Sequence, residues 1–390
     1  MFSQTVNTGV MYVSENTTFS TVKEFNNTNT GTFYNDGDSY IYSHFNNDGI
    51  VDYVDGDGLT RFIGTSIQQI TGLNTLYFYN VLFNNTSTQV PFELHNKISI
   101  ANIGDFTNGI VNNEDYGGLF IFENNATHLN VSDYSHVDGY VLKNGDAEFK
   151  YPIGDGGYYR FATIGETENT ANIFQGKYFL QNSDLNYPHE NKEEKIEFID
   201  DTEYWVIEKK EGSPENIILS LSWNENTTPY TITENPGSDY ISIVRWDTAT
   251  QKWINEGGFV DETEKTVTSL LTGYGVFTLA KIQTPSESAE DHVIYNEFSP
   301  NGDGINDTFI IEGIENYPNN KLEVYNRWGN MVYEKRGYDN SWDGISTARA
   351  TLNINEILPV GTYYYILKLG AHKVTGNIAR TKTGWIYINR

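Results

Sequence analysis

Two short segments of the chain carry oxygen-bearing side chains at spacings that suit a calcium ion. The first is residues 301 to 307, Asn-Gly-Asp-Gly-Ile-Asn-Asp. Its oxygens fall at positions 1, 3, 5 and 7 of a calcium loop, which binds the ion through hard oxygen ligands. The four candidate ligands are Asn301, Asp303, Ile305 through its carbonyl, and Asp307.

The same segment also has the composition of a tight turn. Its sixth position is Asn306, where a calcium loop has glycine. Gly302 and Gly304 suit positive φ angles, and aspartates in such a run cap their own backbone. A turn without an ion therefore remains open beside the calcium site.

The second acidic segment lies near the start of the chain, in residues 46 to 57. It has carboxylates on alternate or nearby positions, which predicts a weaker calcium candidate, and an acidic solvated turn is the alternative. The candidate ligands are Asp48, Asp52, Asp55 and Asp57.

Signatures of catalysis are scarce. The seven histidines have no metal-binding spacing, and neither a nucleophile elbow nor a phosphate loop occurs. A polysaccharide lyase needs cations to neutralise a uronate, yet residues 1–120 contain only Lys23, Arg61 and Lys97. Hydrolysis needs only paired carboxylates, so a glycosidase stays open. We expect a binding or structural protein more than an enzyme.

The elements that hold these segments are predicted to be strands. In the first part of the chain a Phe and Asn unit recurs with a spacing of about 20 residues, which is typical of one turn of a parallel β-solenoid. The phenylalanines would point into the stack, and asparagines would form the corners and ladder between turns. A Greek-key sandwich is the alternative. The recurring phenylalanines are Phe25, Phe45, Phe83, Phe106 and Phe122.

The middle of the chain has shorter alternating runs marked by tryptophan. Regular turn signals between strands of this length predict an immunoglobulin-like sandwich with the tryptophans in its core. Trp246 and Trp253 flank a predicted hairpin. A linker rich in Pro, Ser and Glu then follows at residues 284–292.

Charge separates the last hundred residues from the rest. The chain has a net charge of −27 and no cysteine, which excludes disulfides and thiolate metal sites. Residues 291–390 contain 11 acids and 10 bases, so nearly all of the negative charge belongs to residues 1–290. Such a surface repels nucleic acid and favours cations. The chain starts without the basic and apolar segments of a secretory leader, and no run is long enough to span a membrane. A cytosolic protein therefore stays open beside an extracellular one whose leader is missing from the chain.

The C-terminal region resembles the gliding-motility-associated C-terminal domain, the type B sorting signal of the type IX secretion system of Bacteroidetes. The resemblance rests on five segments: residues 298–309 (FSPNGDGINDTF), 322–329 (LEVYNRWG), 342–344 (WDG), 358–365 (LPVGTYYY) and 382–388 (KTGWIYI). It implies a folded β-domain that the secretion machinery recognises and that an outer-membrane β-barrel of the PorP/SprF family holds.

The surface for that barrel is expected in the cationic last part of the chain, where the final strand forms an edge. The alternative is that these bases only solvate the edge. The candidate contact residues are Lys373, Arg380, Lys382, Trp385, Tyr387 and Arg390.

The sequence therefore predicts an all-β protein with an N-terminal parallel β-helix and two immunoglobulin-like sandwiches. The predicted parts are a solenoid at residues 1–148, a sandwich at 149–283, the linker, and the sorting domain at 293–390. We expect an adhesin or structural protein at the cell surface, with a glycan or adhesion ligand and no cofactor other than Ca²⁺. The alternatives are a carbohydrate-active enzyme in the solenoid and an adaptor that links the barrel to other surface components.

Overall fold

The computed structural model describes residues 4–167, 169–212, 216–234, 241–283, 293–326, 329–347, 357–373 and 380–390. The all-β prediction is confirmed, since 51% of the residues are in strands and 2% in helices. The chain folds into two compact units, which comprise residues 1–162, 169–181 and 204–213, and residues 163–168, 182–203 and 214–390. The domain bounds given above stay predictions, and the linker 284–292 lies outside the described residues.

The first unit contains a parallel β-solenoid of about 6 turns, as predicted. Its strands pair in register with those of the next turn, on three faces. The first face consists of Thr5–Asn7, Phe25–Asn27, Phe45–Asn47, Gln68–Gly72, Phe92–Leu94, Val111–Asn112, Val137–Asp138, Ile153–Asp155 and the antiparallel Tyr158–Tyr159.

The other two faces share two long strands. The second face consists of Val10–Val13, Thr32–Asn35, Ile50–Asp52, Leu119–Phe122, Val141–Asn144 and the first parts of Leu76–Asn84 and Lys97–Asn108. The third face consists of Thr18–Thr21, Asp38–Ile41, Leu59–Phe62, the second parts of the two long strands and Thr127–Leu129.

The solenoid core is a stack of phenylalanines. All five of the recurring phenylalanines are fully buried, as predicted. Phe25 and Phe45 are register partners on the first face, with ring centroids 4.9 Å apart. Phe83 and Phe106 are partners on the third face, and Phe122 lies on the second. The recurring unit therefore marks burial, but it marks a different face in different turns.

An asparagine ladder closes one corner of the first turns. Asn7 Nδ2 donates to Asn27 Oδ1 at 2.9 Å, and Asn27 Nδ2 donates to Asn47 Oδ1 at 2.8 Å. Asn16 and Asn125 have positive φ angles of 60° and 65° at other corners. Both predicted uses of asparagine are confirmed, because its short amide can satisfy buried backbone groups and tolerates the left-handed region.

The remaining strands are antiparallel wherever their pairing is described, except for one short parallel pair in the C-terminal region. In the first unit, Ile173–Phe179 pairs with Val141–Asn144 and with Tyr204–Glu211. In the second unit, Ile196–Ile199, Gly275–Ile282, Ile241–Asp247 and Lys252–Gly257 form one series, and Ile218–Ser222, Thr266–Leu270 and Phe259–Asp261 form another. Two short strands, Phe149–Lys150 and Ala162–Ile164, and the one-turn helix Tyr230–Thr233 complete this part.

The predicted tryptophan hairpin is confirmed. Trp246 pairs with Trp253 across antiparallel strands, with ring centroids 5.8 Å apart and both side chains buried. Trp253 Nε1 also donates to the carbonyl of Tyr187 at 3.0 Å. These tryptophans belong to the core, as predicted, and are not platforms for a ligand.

The C-terminal region forms a five-stranded sheet. Its order is Glu297–Phe298, Arg380–Ile388, Gly361–Leu369, Lys321–Tyr325 and Met331–Arg336, and all pairs except the first are antiparallel. Val293–Ile294 pairs with Ile311–Glu312, and a 3₁₀ helix spans Ile314–Asn316. One face of the sheet packs on a core that includes Phe309, Trp342, Ile386 and Ile388.

Removal of one rung of the asparagine ladder tests the solenoid's stability. Asn27 is fully buried, and its Nδ2 also donates to the Ile50 carbonyl at 2.9 Å. We expect Asn27→Ala to lower the free energy of unfolding by about 3 kcal/mol, because it leaves several buried polar groups without partners. Urea denaturation measures the change. The matched control is Asn26→Ala on the same strand, where the side chain is only half-buried and a loss below about 1 kcal/mol is expected. Equal losses in the two variants would contradict the role of the ladder.

Candidate functional site

The 301–307 loop of the C-terminal domain is held by its own side chains. Asp307 accepts hydrogen bonds from the backbone N–H groups of Gly302 and Gly304, both at 2.8 Å. Asp303 Oδ1 accepts from the N–H of Ile305 at 2.8 Å. Gly302 and Gly304 have φ angles of 80° and 86°, as the turn interpretation predicts. In this arrangement both oxygens of Asp307 are acceptors for amide protons.

The acidic segment at residues 46–57 is organised by an aspartate that the sequence analysis missed. Asp36 Oδ1 accepts from the N–H groups of Val54 at 2.9 Å and Asp55 at 3.1 Å. Backbone N–H groups thus point into this loop towards a carboxylate, and these bonds lower the pKa of Asp36 against its desolvation. Asp48 is remote from this arrangement: its Oδ1 accepts from the N–H of Leu73 at 3.2 Å in another turn. No spacing rule links Asp36 to a loop 18 residues later.

Within the described parts of the chain, no three His, Asp or Glu side chains converge as a metal site. Ca²⁺ binding at either loop stays a prediction.

The candidate contact residues of the last strand do not form one patch. Arg380 pairs with Leu369 at one end of the sheet, and Ile388 pairs with Gly361 at the other. Arg380 and Ile388 are eight positions apart on the strand, so these two ends are about 27 Å from each other. Lys373 follows the first end, where its Nζ lies 3.5 Å from the Glu315 carbonyl. Arg390 follows the second end.

The middle of the last strand lies against a neighbouring part of the second unit. The rings of Trp385 and Phe259 are 4.9 Å apart, and Thr383 Oγ1 donates to the Glu256 carbonyl at 2.7 Å. Trp385 also packs on a cluster that joins Ile218 and Leu270 to this sheet. Trp385 is therefore a packing residue within the second unit. Lys382 and Tyr387 are half-buried, and Arg390 donates to the Leu358 carbonyl. The role of these residues in partner binding stays a prediction.

A carboxyl cluster on the first face of the solenoid was not foreseen. Asp138 lies beside Gly154 in the next turn, and its Oδ1 is buried without a hydrogen-bond partner among the described residues. Burial, and then the charges of Asp155 and Glu114, raise the pKa of Asp138 to about 7, although Lys177 opposes the shift. Lys177 itself pairs with Glu114. The three acids come from three different turns, so no local sequence pattern announces them.

A second buried acid lies in the second unit. Asp200 and Glu203 are both fully buried, and Asp200 Oδ1 accepts from the N–H and the hydroxyl of Thr202 at 2.8 and 2.7 Å. Desolvation and the Glu203 charge raise the pKa of Asp200 well above its usual range. Thr228 Oγ1 donates to Glu203 Oε1 at 2.5 Å. The pair belongs to the core, and its burial could not be predicted from sequence because Asp-Asp-Thr-Glu is typical of a solvated turn.

The C-terminal fold and its motif segments define a class of protein, namely one whose folded C-terminal β-domain is an export signal. Residues 292–388 match the family model described as the CHU_C type IX secretion signal domain. The chain therefore carries the C-terminal sorting domain of the Bacteroidetes type B sorting signal, as the resemblance implied. It is a cell-surface passenger sorted by the type IX secretion system, and the signal implies interaction with the secretion machinery.

No curated protein and no solved structure matches the chain. Among the described residues no helix is both long and apolar enough to cross a membrane.

The raised pKa of Asp138 predicts a pH-dependent stability. Between about pH 4 and pH 7 the unfolded chain loses this proton while the folded chain keeps it, so the contribution of Asp138 to stability falls as pH rises through that window. We expect Asp138→Asn to gain stability relative to the natural protein from pH 4.5 to pH 8. Urea denaturation across this range measures the difference. A difference that does not change with pH would contradict the buried, protonated carboxyl.

Calcium binding has a direct thermal test. If the 301–307 loop binds Ca²⁺, addition of CaCl₂ after chelation raises the melting temperature of the full chain, because a ligand of the folded state stabilises it. Asp303→Asn should abolish this increase, whereas Asp48→Asn should leave it. Differential scanning calorimetry measures it. An unchanged melting temperature on readdition would rule out the site.

Proposed function

We propose that the protein is an adhesin or structural protein of the cell surface, held at the outer membrane through its C-terminal domain by a PorP/SprF-family β-barrel. The match of residues 292–388 to the type IX secretion signal domain is the observation that supports this proposal. A sorting domain exports and anchors what precedes it, so contact with the surroundings falls to the solenoid. Anchoring would be noncovalent, and gliding motility would carry the protein along the cell.

In this proposal the remaining β-regions are spacers with an immunoglobulin-like topology. Antiparallel strands and the buried Trp223, Trp246 and Trp253 support this assignment for the middle region. The packing of Trp385 on Phe259 supports a stiff connection between the middle strands and the sorting sheet inside the second unit. Such a connection would hold the middle strands at a fixed orientation to the sorting sheet.

A glycosidase in the solenoid is the second candidate function. The observation that favours it is Asp138, because a carboxyl whose pKa is raised to about 7 by burial and then by the charge of a second carboxylate, Asp155, suits general acid catalysis. Release of reducing sugars from neutral polysaccharides separates this function from simple binding. An adaptor role would instead require stable co-purification with other surface components.

Truncation of the last strand tests the sorting assignment. Removal of residues 383–390 deletes the fully buried Ile386 and Ile388, so the sorting sheet loses its core strand. We expect the protein to disappear from the cell surface in its own organism, measured by external protease treatment and immunoblotting of whole cells. Normal surface display of the truncated protein would contradict the assignment.

A matched variant separates folding from recognition. Lys373→Ala with Arg390→Ala keeps both buried isoleucines, so the domain should fold and be exported. If the predicted contact of these bases with the barrel holds, this variant appears in the medium in place of the cell surface. Full retention of the double variant would remove these bases from the anchoring site.

A further inference from the structure

A column of tyrosines runs across successive turns on the second face of the solenoid. In-register pairing places Tyr12 beside Tyr34, and Tyr34 beside Asp52. The strand of Tyr77 follows, in the register that continues this column. Tyr12 and Tyr77 are 49% and 47% exposed, and Tyr34 and Asp52 are half-buried. Neighbouring strands are about 4.8 Å apart, so the column is about 14 Å long.

The residues that alternate with this column explain its direction. Phe33, Val51 and Leu76 precede the column members on the same strands and are buried in the solenoid core. Since successive side chains of a strand point to opposite sides, the column members point outward. The alternation of side chains along each strand therefore accounts for the exposure of Tyr12 and Tyr77. Neither ring packs in a core of the described fold.

A hydrogen bond holds the column at its Tyr12 end. Tyr12 Oη donates to Asp36 Oδ2 at 2.9 Å, and Asp36 is itself fixed by the backbone of the 54–56 loop. Preorganised aromatic rings lose little entropy when a ligand covers them.

Charge decides what can cover this face. Beside the rings lies the half-buried carboxylate of Asp52, which acts only as a hydrogen-bond acceptor when ionised. The first 120 residues contain three bases, and one of them, Arg61, is paired with Asp38 on the third face. A uronate polymer or a second copy of this acidic chain would meet like charge here. A chain of neutral hydroxyl donors would not.

We infer that the column of Tyr12, Tyr34, Asp52 and Tyr77 binds an extended neutral polysaccharide of hexopyranose units that lies along the solenoid axis. The apolar faces of the sugar rings stack on the tyrosines, and the sugar hydroxyls donate to the Asp52 carboxylate. Neighbouring turns are about 4.8 Å apart, so an extended sugar chain that lies along the axis meets successive turns. This inference deepens the proposed adhesive role and rests on it.

Affinity electrophoresis of the purified full chain tests the inference. The gels contain hydroxyethyl cellulose, galactomannan or laminarin as neutral polymers, and polygalacturonate as the anionic one. We expect at least one neutral polymer to retard the protein and polygalacturonate not to. Tyr12→Ala with Tyr77→Ala should weaken the retardation at least tenfold. The matched control is Tyr134→Ala, an exposed solenoid tyrosine outside the column.

Three results would overturn the inference: no retardation by any neutral polymer, retardation only by polygalacturonate, or an equal loss in Tyr134→Ala. Circular dichroism of each variant confirms that the strands remain. The assay does not involve export, and the double tyrosine variant keeps the sorting domain. If sugar binding fails while the protein is displayed normally, only the proposed ligand is refuted. If the natural protein is not displayed at the cell surface, the proposed function is refuted.

Discussion

In-register stacking of parallel strands is the constraint on which the solenoid and its surfaces depend. Each turn repeats the backbone of the turn before it at about 4.8 Å, so every inward side chain meets an inward side chain and every outward one an outward one. The same rule that places Phe25 beside Phe45 therefore places Tyr12 beside Tyr34. A slip of one residue would bury the tyrosines and expose the core. The proposed binding surface and the core therefore depend on the same register.

The sequence predicted the residue types in this stack better than their positions. Asn27 could be assigned to a corner and Phe45 to the core because the Phe and Asn unit recurs with a spacing of about 20 residues, which matches one turn. The later turns are longer and begin at different points, so Phe83 belongs to a different face from Phe45 although both precede Asn-Asn. The tyrosine column could not be predicted from the sequence either, because its register depends on the lengths of the corners, which vary from turn to turn.

The candidate sites show where local patterns stop being informative. The positive φ angles at Gly302 and Gly304 followed from composition, because few other residues fit that turn. Trp385 was expected at a partner surface, yet it packs on Phe259, more than one hundred residues earlier in the chain. Residues in other turns donate to Asp36 and shift the pKa of Asp138. Contacts of this kind require the tertiary register and cannot be inferred from spacing.

The division of charge along the chain fits a division of labour between anchor and passenger. The nearly neutral C-terminal hundred residues carry the sorting domain, and in the proposed function the acidic remainder contacts the surroundings. The most direct test of this account is mass spectrometry of proteins that co-purify with the tagged chain from detergent-solubilised outer membranes of its own organism. The account predicts recovery of a PorP/SprF-family barrel with the full chain. Recovery of the protein alone, from the culture medium, would contradict it.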